Sequence, residues 1–185
     1  SGLAVEEDGS SYINCSFDTS SSVSSSTSSS EESKFYNCIL PETVSGTRKY
    51  YNCSSNGRVY DNSDQSHLGT LVGVNANGDS VDAYGNITDS ALYTNAAGGD
   101  YSLQSASKCI DAGLNDYIAN IAFDILDSAR VWDAKGDGKL IVDIGAIEYG
   151  ATSDTSGTAY SANATDSIYL SGTATLSGQT DHSGI

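Results

Sequence analysis

Apolar positions in this chain fall in short clusters rather than in long periodic stretches. Val, Ile, Tyr and Thr group together and are closed off by Gly, Asn, Asp and Ser, as in Tyr12–Phe17 and Phe35–Leu40. That pattern predicts strand, turn, strand. Helical spacing is nearly absent; Leu114–Asp127 has apolar residues at several spacings and predicts one short helical turn. With 19 Gly and a single Pro, turns fall to Gly, Asn and Asp, which tolerate left-handed backbone. The expected class is all-β.

Three of the clusters repeat one another. Tyr12-Ile13-Asn14-Cys15-Ser16-Phe17, Phe35-Tyr36-Asn37-Cys38-Ile39-Leu40 and Tyr50-Tyr51-Asn52-Cys53-Ser54-Ser55 each carry an Asn-Cys pair, 23 and then 15 residues apart. Alternation along a strand sets Ile13, Cys15 and Phe17 on one face, matched by Tyr36, Cys38 and Leu40, then by Tyr51 and Cys53. A repeat this short cannot bury its own apolar face, so copies are expected to stack in parallel. Stacking predicts an interior column of Cys15, Cys38 and Cys53. It also predicts a column of Asn14, Asn37 and Asn52 at the bend, each amide donating to one copy and accepting from the next. In-register neighbours at about 4.8 Å come within disulfide reach, but their side chains run parallel, which favours free thiols acting as small hydrophobes.

Two composition shifts interrupt the pattern. Ten of the fourteen residues from Ser20 to Ser33 are Ser; Val23 and Thr27 break the run, and an ordered, solvent-facing excursion is expected there. The Ser/Thr/Ala/Gly/Asp-rich stretch after Gly150 reads as a linker over 151–165. Alternation resumes over 166–185, with Ile168, Leu170, Leu176 and Ile185 as its apolar positions. The expected organisation is thus 1–150, a linker, and a strand tail.

Charge narrows the partners. With 8 basic and 24 acidic side chains the formal net charge is −16, which disfavours nucleic acid and an anionic membrane surface. No apolar run approaches the roughly 20 residues that cross a bilayer. Charged residues make up 17%, below the usual quarter or so. Ser, Thr, Asn and Gly carry the polarity instead, a profile of secreted all-β proteins. Met is absent, even at position 1, which suggests an excised piece of a longer chain.

The stretch Asp100-Tyr101-Ser102-Leu103 through Ser107, Ile110-Asp111-Ala112-Gly113 resembles the signature "DYxLxxxSxxIDAG". Asp124 through Arg130, followed by Val142-Asp143-Ile144-Gly145-Ala146-Ile147-Glu148-Tyr149, resembles "DxxGxxR…VDIGAxEY". Together they resemble the choice-of-anchor Q domain, the end of a right-handed parallel β-helix in the wider pectate-lyase-like superfamily. Ser128 is read as the position where that family usually has Gly. The resemblance implies a right-handed parallel β-helix with a C-terminal cap over 100–149, within a secreted or cell-surface bacterial protein. It implies no reaction. Residues 171–185 resemble the opening strand of a carboxypeptidase-regulatory-like β-sandwich, expected as the start of a truncated sandwich or as a donor strand.

Candidate chemistry is sparse. Arg130 precedes a strand returning with Asp143 and Glu148, and its planar fork suits a bidentate carboxylate. It is expected to pair with one of them and close the last rung. Arg48, Lys49 and Arg58 are expected to offset acidity at the surface. Asp133, Asp137 and Asp143 surround a Gly-rich turn but have Lys135 where an EF-hand wants an oxygen ligand, so they form a turn first and a Ca²⁺ site second. Asp79 and Asp82 are read the same way. His67 and His182 lack metal-ligand spacing, and no Gly-x-Ser-x-Gly elbow is present. The expected function is a non-enzymatic surface structural or adhesive module without a required cofactor, associating with its own copies head to tail or by strand exchange through 166–185. The alternatives are a glycan-binding module, with Tyr50, Tyr51 and Tyr60 stacking on sugar, and a polysaccharide lyase or hydrolase.

Overall fold

The computed structural model describes residues 4–5, 10–17, 22–24, 33–40, 43–45, 48–57 and 69–152. Contacts divide the chain into Ser1–Ser153 and Asp154–Ile185, a boundary that falls inside the stretch expected as a linker. Ile168, Leu170, Leu176, Ile185, both histidines, Arg58 and Tyr60 lie outside the described residues.

The described residues are mostly short strands and turns. β1 (Ala4–Val5), β2 (Ser11–Ile13), β3 (Ser22–Ser24), β4 (Ser33–Tyr36), β5 (Thr43–Ser45) and β6 (Arg48–Tyr51) alternate between two sheets. β1, β3 and β5 pair in parallel, with Val5, Val23 and Val44 in register. The serine-rich run thus contributes a strand around Val23. β2, β4 and β6 also pair in parallel, with rows Tyr12–Phe35–Tyr50 and Ile13–Tyr36–Tyr51. A third parallel row runs through single bridges, Ser16–Ile39–Ser54–Ile87. Like residues of the three Asn-Cys groups therefore lie beside like.

β2, β4 and β6 are short because each runs into a left-handed residue. Asn14, Asn37 and Asn52 have φ of 49°, 50° and 50°, a conformation that Asn tolerates better than most side chains. This bend overturns the expected face assignment. A left-handed residue resets the alternation, so Phe35 and Cys38, three apart, both enter one core, as do Tyr50 and Cys53. Tyr36 and Tyr51, expected beside the cysteines, stay half-buried on the outer side, stacked on each other at 5.2 Å.

Two cores flank the third row. Phe17, Phe35, Cys38, Leu40, Tyr50 and Cys53 form one. Ile39 points the other way, into a second core with Val81, Ile87, Leu103, Cys109, Ile110 and Ile144. Extended backbone sends neighbouring side chains to opposite faces, so Ile39 buries a side that Cys38 and Leu40 cannot. Residues beyond 69 add two antiparallel pairs, β7 (Gly73–Val74) with β8 (Ser80–Val81) and β9 (Tyr93–Asn95) with β10 (Asp100–Leu103). A 3-10 helix at Asn115–Ile118 occupies the segment expected to turn helically. Among the described residues no helix is long and apolar enough to cross a membrane.

One turn is built three times. In Asn75–Asp79, Asp82–Asn86 and Asp124–Ser128 the first side chain's Oδ1 accepts the N–H groups two and four residues on, at 2.8–3.0 Å. The fourth residue is left-handed in each: Gly78 at 82°, Gly85 at 80°, Asp127 at 59°. The left-handed position of the third turn is therefore Asp127, not Ser128, whose N–H bonds Asp124.

Candidate functional site

The bends and the buried charges beside them form the most elaborate polar constellation among the described residues. At a left-handed bend the strand ladder is interrupted, and the Cys N–H that follows needs a new acceptor. The cysteine of the next group supplies it: the Cys15 N–H donates to Cys38 Sγ and the Cys38 N–H to Cys53 Sγ, both at 3.4 Å. No fourth cysteine follows in this column, and the Cys53 N–H donates instead to Asn86 Oδ1 at 2.8 Å. Each thiol donates back to the carbonyl two residues earlier, Ile13, Tyr36 or Tyr51, at 3.2–3.4 Å. All four cysteines are free thiols. Burial pushes Cys38 well up and Cys109 to about 12; for Cys15 the bond to Cys38 contributes most, then burial. The raised thiols are poor nucleophiles, and Cys38 and Cys53 serve as backbone acceptors.

The asparagines bind mainly to a later segment rather than to each other. Asn37 Nδ2 does donate to Asn14 Oδ1 at 3.3 Å. Its stronger bonds hold Leu114, donating to the Leu114 carbonyl at 3.0 Å and accepting the Leu114 N–H at 2.8 Å. Asn14 Nδ2 donates to the carbonyls of Asp143 and Gly145 at 3.0 and 3.2 Å. Asn52 lies against Gly85, where an added Cβ would stand 2.5 Å from its Nδ2. Gly145, at φ +117°, passes so close that a Cβ would meet Ile39 Cδ1 and Ser16 Oγ at 2.8 Å. Residues 113–114 and 143–145 thus lie along the bends.

Arg130 pairs with Glu148, not Asp143. Nη1 reaches Oε1 at 3.0 Å, with both residues buried. The pair is single, not bidentate, because the guanidinium also donates to the carbonyls of Gly145 and Ala146 at 3.1 Å. The other oxygen, Glu148 Oε2, accepts the Asp143 N–H at 3.0 Å. Asp143 in turn accepts the N–H groups of Asp111 and Tyr149, at 2.8 and 2.6 Å, and Asp124 accepts that of Glu148 at 3.0 Å. The carboxylates form a relay of backbone acceptors. Burial, reinforced by Asp111, pushes Asp143 up to about 7; burial and then Asp143 push Glu148 up to about 9, with Arg130 and the Asp143 N–H pulling it back. Asn86 was not singled out from the sequence and Asp124 was read only as the start of a family signature, although the D-x-x-[GD]-x pattern they share was there to be read.

Other expected sites are not assembled. Asp133 accepts the N–H groups of Asp137 and Gly138, Asp137 pairs with Lys139 at 2.9 Å, and Asp143 is committed to the relay. Among the described residues no three Asp, Glu, His or Cys side chains are grouped to hold a metal. Asp79 pairs with Lys108, and Asp82 caps its turn. Arg48, expected on the surface, is 1% exposed, because it lies on the inward-facing row of β6 with Tyr50. Tyr50 is fully buried and cannot meet a sugar. Tyr51 joins Tyr36, Tyr84 and Tyr117 in ring contacts of 4.5–5.9 Å that engage the rings with one another. No family model, curated protein or solved structure matches the chain.

Proposed function

We propose that the chain is a non-enzymatic structural or adhesive module of an extracellular bacterial surface protein, built as a right-handed parallel β-helix of the choice-of-anchor Q type. It associates with its own copies through the C-terminal strand. The β-helix reading is supported by six strands alternating between two parallel sheets, with a third parallel row beside them. The non-enzymatic reading is carried by one observation: Arg130, Asp124, Asp143 and Glu148 are buried and bonded to backbone groups or to each other. Such a network holds chain segments together and offers no solvent-facing acid, base or nucleophile.

The association is tested with the full chain and a form ending at Thr165, by light scattering and electron microscopy over a concentration series. The expected result is concentration-dependent growth or filaments for the full chain only. Monomeric mass for both forms at every concentration overturns self-assembly.

A further inference from the structure

Tyrosine is the side chain on which oxidising equivalents collect in this chain. There are 12 Tyr, one Trp and no Met, so the side chain of a common oxidative lesion is missing. The cysteines are reluctant donors, since Cys38, Cys53 and Cys109 are buried and the raised Cys15, Cys38 and Cys109 thiols hold little thiolate. Tyr36, Tyr51, Tyr84 and Tyr117 form one run of ring contacts. Tyr84 is 42% exposed and the other three are half-buried, so a small oxidant in solution reaches the group.

The ring pairs differ in how ring meets ring. A phenol that gives up an electron and its proton becomes a phenoxyl radical, with spin in π orbitals at the carbons ortho to oxygen. Two such radicals join through those orbitals, so their faces must approach. Tyr51–Tyr84 and Tyr93–Tyr101 meet edge to face, at 87° and 89°. Tyr36 instead turns a face toward two described tyrosines, Tyr51 at 5.2 Å and 15° and Tyr117 at 4.5 Å and 44°. The pair with Tyr117 is the closer, and the backbone holds it in place. Asn37, next to Tyr36, binds the N–H and carbonyl of Leu114 at 2.8 and 3.0 Å. Leu114 opens the 3-10 helix Asn115–Ile118, and the Tyr117 N–H donates to its carbonyl at 3.3 Å. Burial, then Tyr36 and Tyr51, raise the Tyr117 phenol, so the hydroxyls as well as the rings are neighbours.

We infer that Tyr36 and Tyr117 are an oxidative cross-linking site, joined carbon to carbon as dityrosine by hydrogen peroxide acting through a haem peroxidase catalyst. Each phenol loses one electron and one proton, and the two ortho carbons then bond. Each of those carbons passes its hydrogen as a proton to its own ring oxygen, which restores both phenols. Hydrogen peroxide takes up the two electrons and two protons and leaves as two waters. With the rings already in contact, coupling within the chain outruns coupling between chains. The bond ties the 3-10 helix to the repeat across a long stretch of sequence, and so stabilises chiefly by restricting the unfolded chain. The inference is independent of the surface-module reading, since it needs only these two rings and an oxidant.

The test treats the full chain with hydrogen peroxide and a haem peptide small enough to reach half-buried rings. The monomer fraction is then denatured, reduced, alkylated and digested with trypsin, so that no disulfide joins peptides. Tryptic peptides 35–48 and 109–130 each hold a single tyrosine, so the two joined, and lighter by two hydrogens, identify the bond. That product is expected ahead of any other tyrosine pair, with dityrosine fluorescence and a raised thermal midpoint for the linked monomer. Tyr117→Phe keeps the ring without the phenol and should lose the joined peptide and most of the monomer fluorescence. Oxidation in urea should scatter the links over other tyrosines. Tyrosine consumed without the joined peptide overturns the proposal. So does a link formed only between chains, or undiminished monomer fluorescence from Tyr117→Phe.

Discussion

Asn37 does two jobs that no other residue type combines well. Its backbone sits at φ 50° and its amide binds Asn14 and both polar groups of Leu114. Asn37→Ala therefore adds left-handed strain and removes the partner of the part-buried Leu114 N–H and carbonyl, an expected loss of about 2 kcal/mol. Asn37→Gly removes only the amide and should lose about 1 kcal/mol less. Urea unfolding of the two variants measures the difference, and equal losses would refute the strain argument. The Asn-Cys pairs were legible in the sequence as a repeat. Which side chains flank the cysteines inside was not, because alternation was carried through a residue that resets it. Phe35 and Tyr50 are inside, Tyr36 and Tyr51 outside.

At the scale of elements, the third five-residue turn departs from the other two at one place. Gly78 and Gly85 hold the left-handed position without a Cβ, whereas Asp127 holds it at 59° with one. Asp127 is exposed, and its N–H donates to the Asp124 carbonyl as Gly85 does to Asp82. Asp127→Gly should therefore raise the thermal midpoint, by a stabilisation of up to about 1 kcal/mol. A lowered midpoint would mean that the Asp127 side chain contributes more than its strain. The turn's sequence pattern was visible three times over. Its meaning was not, since Asp82 read as a turn or a Ca²⁺ ligand and Asp124 only as the start of a family signature; the N–H groups that Asp124 and Asp82 accept from their own turns settle the use.

For the whole molecule, the buried carboxyls set the pH dependence of stability. Asp143 and Glu148 are raised from 3.8 and 4.5 to about 7 and about 9, so the folded chain holds these protons more tightly than the unfolded chain. Their contribution is full below about pH 4 and is lost as pH rises through about 7 and then about 9. The thermal midpoint should fall from pH 5 to pH 9. Glu148→Gln should lower stability overall and flatten the part of the fall above pH 7. A midpoint that rises across this interval would overturn the assignment. By itself, the sequence determined the short strands closed by turns, the Asn-Cys repeat, its parallel pairing and the pairing of Arg130 with a carboxylate. Each of these depends on residue types and on spacing along one strand. Tertiary structure alone decided that Glu148 rather than Asp143 takes the guanidinium, that Asn86 ends the cysteine column, and that residues 113–114 and 143–145 lie along the bends. Those choices join groups up to 131 residues apart, and local pattern has no means of ranking partners brought together only when the chain closes on itself.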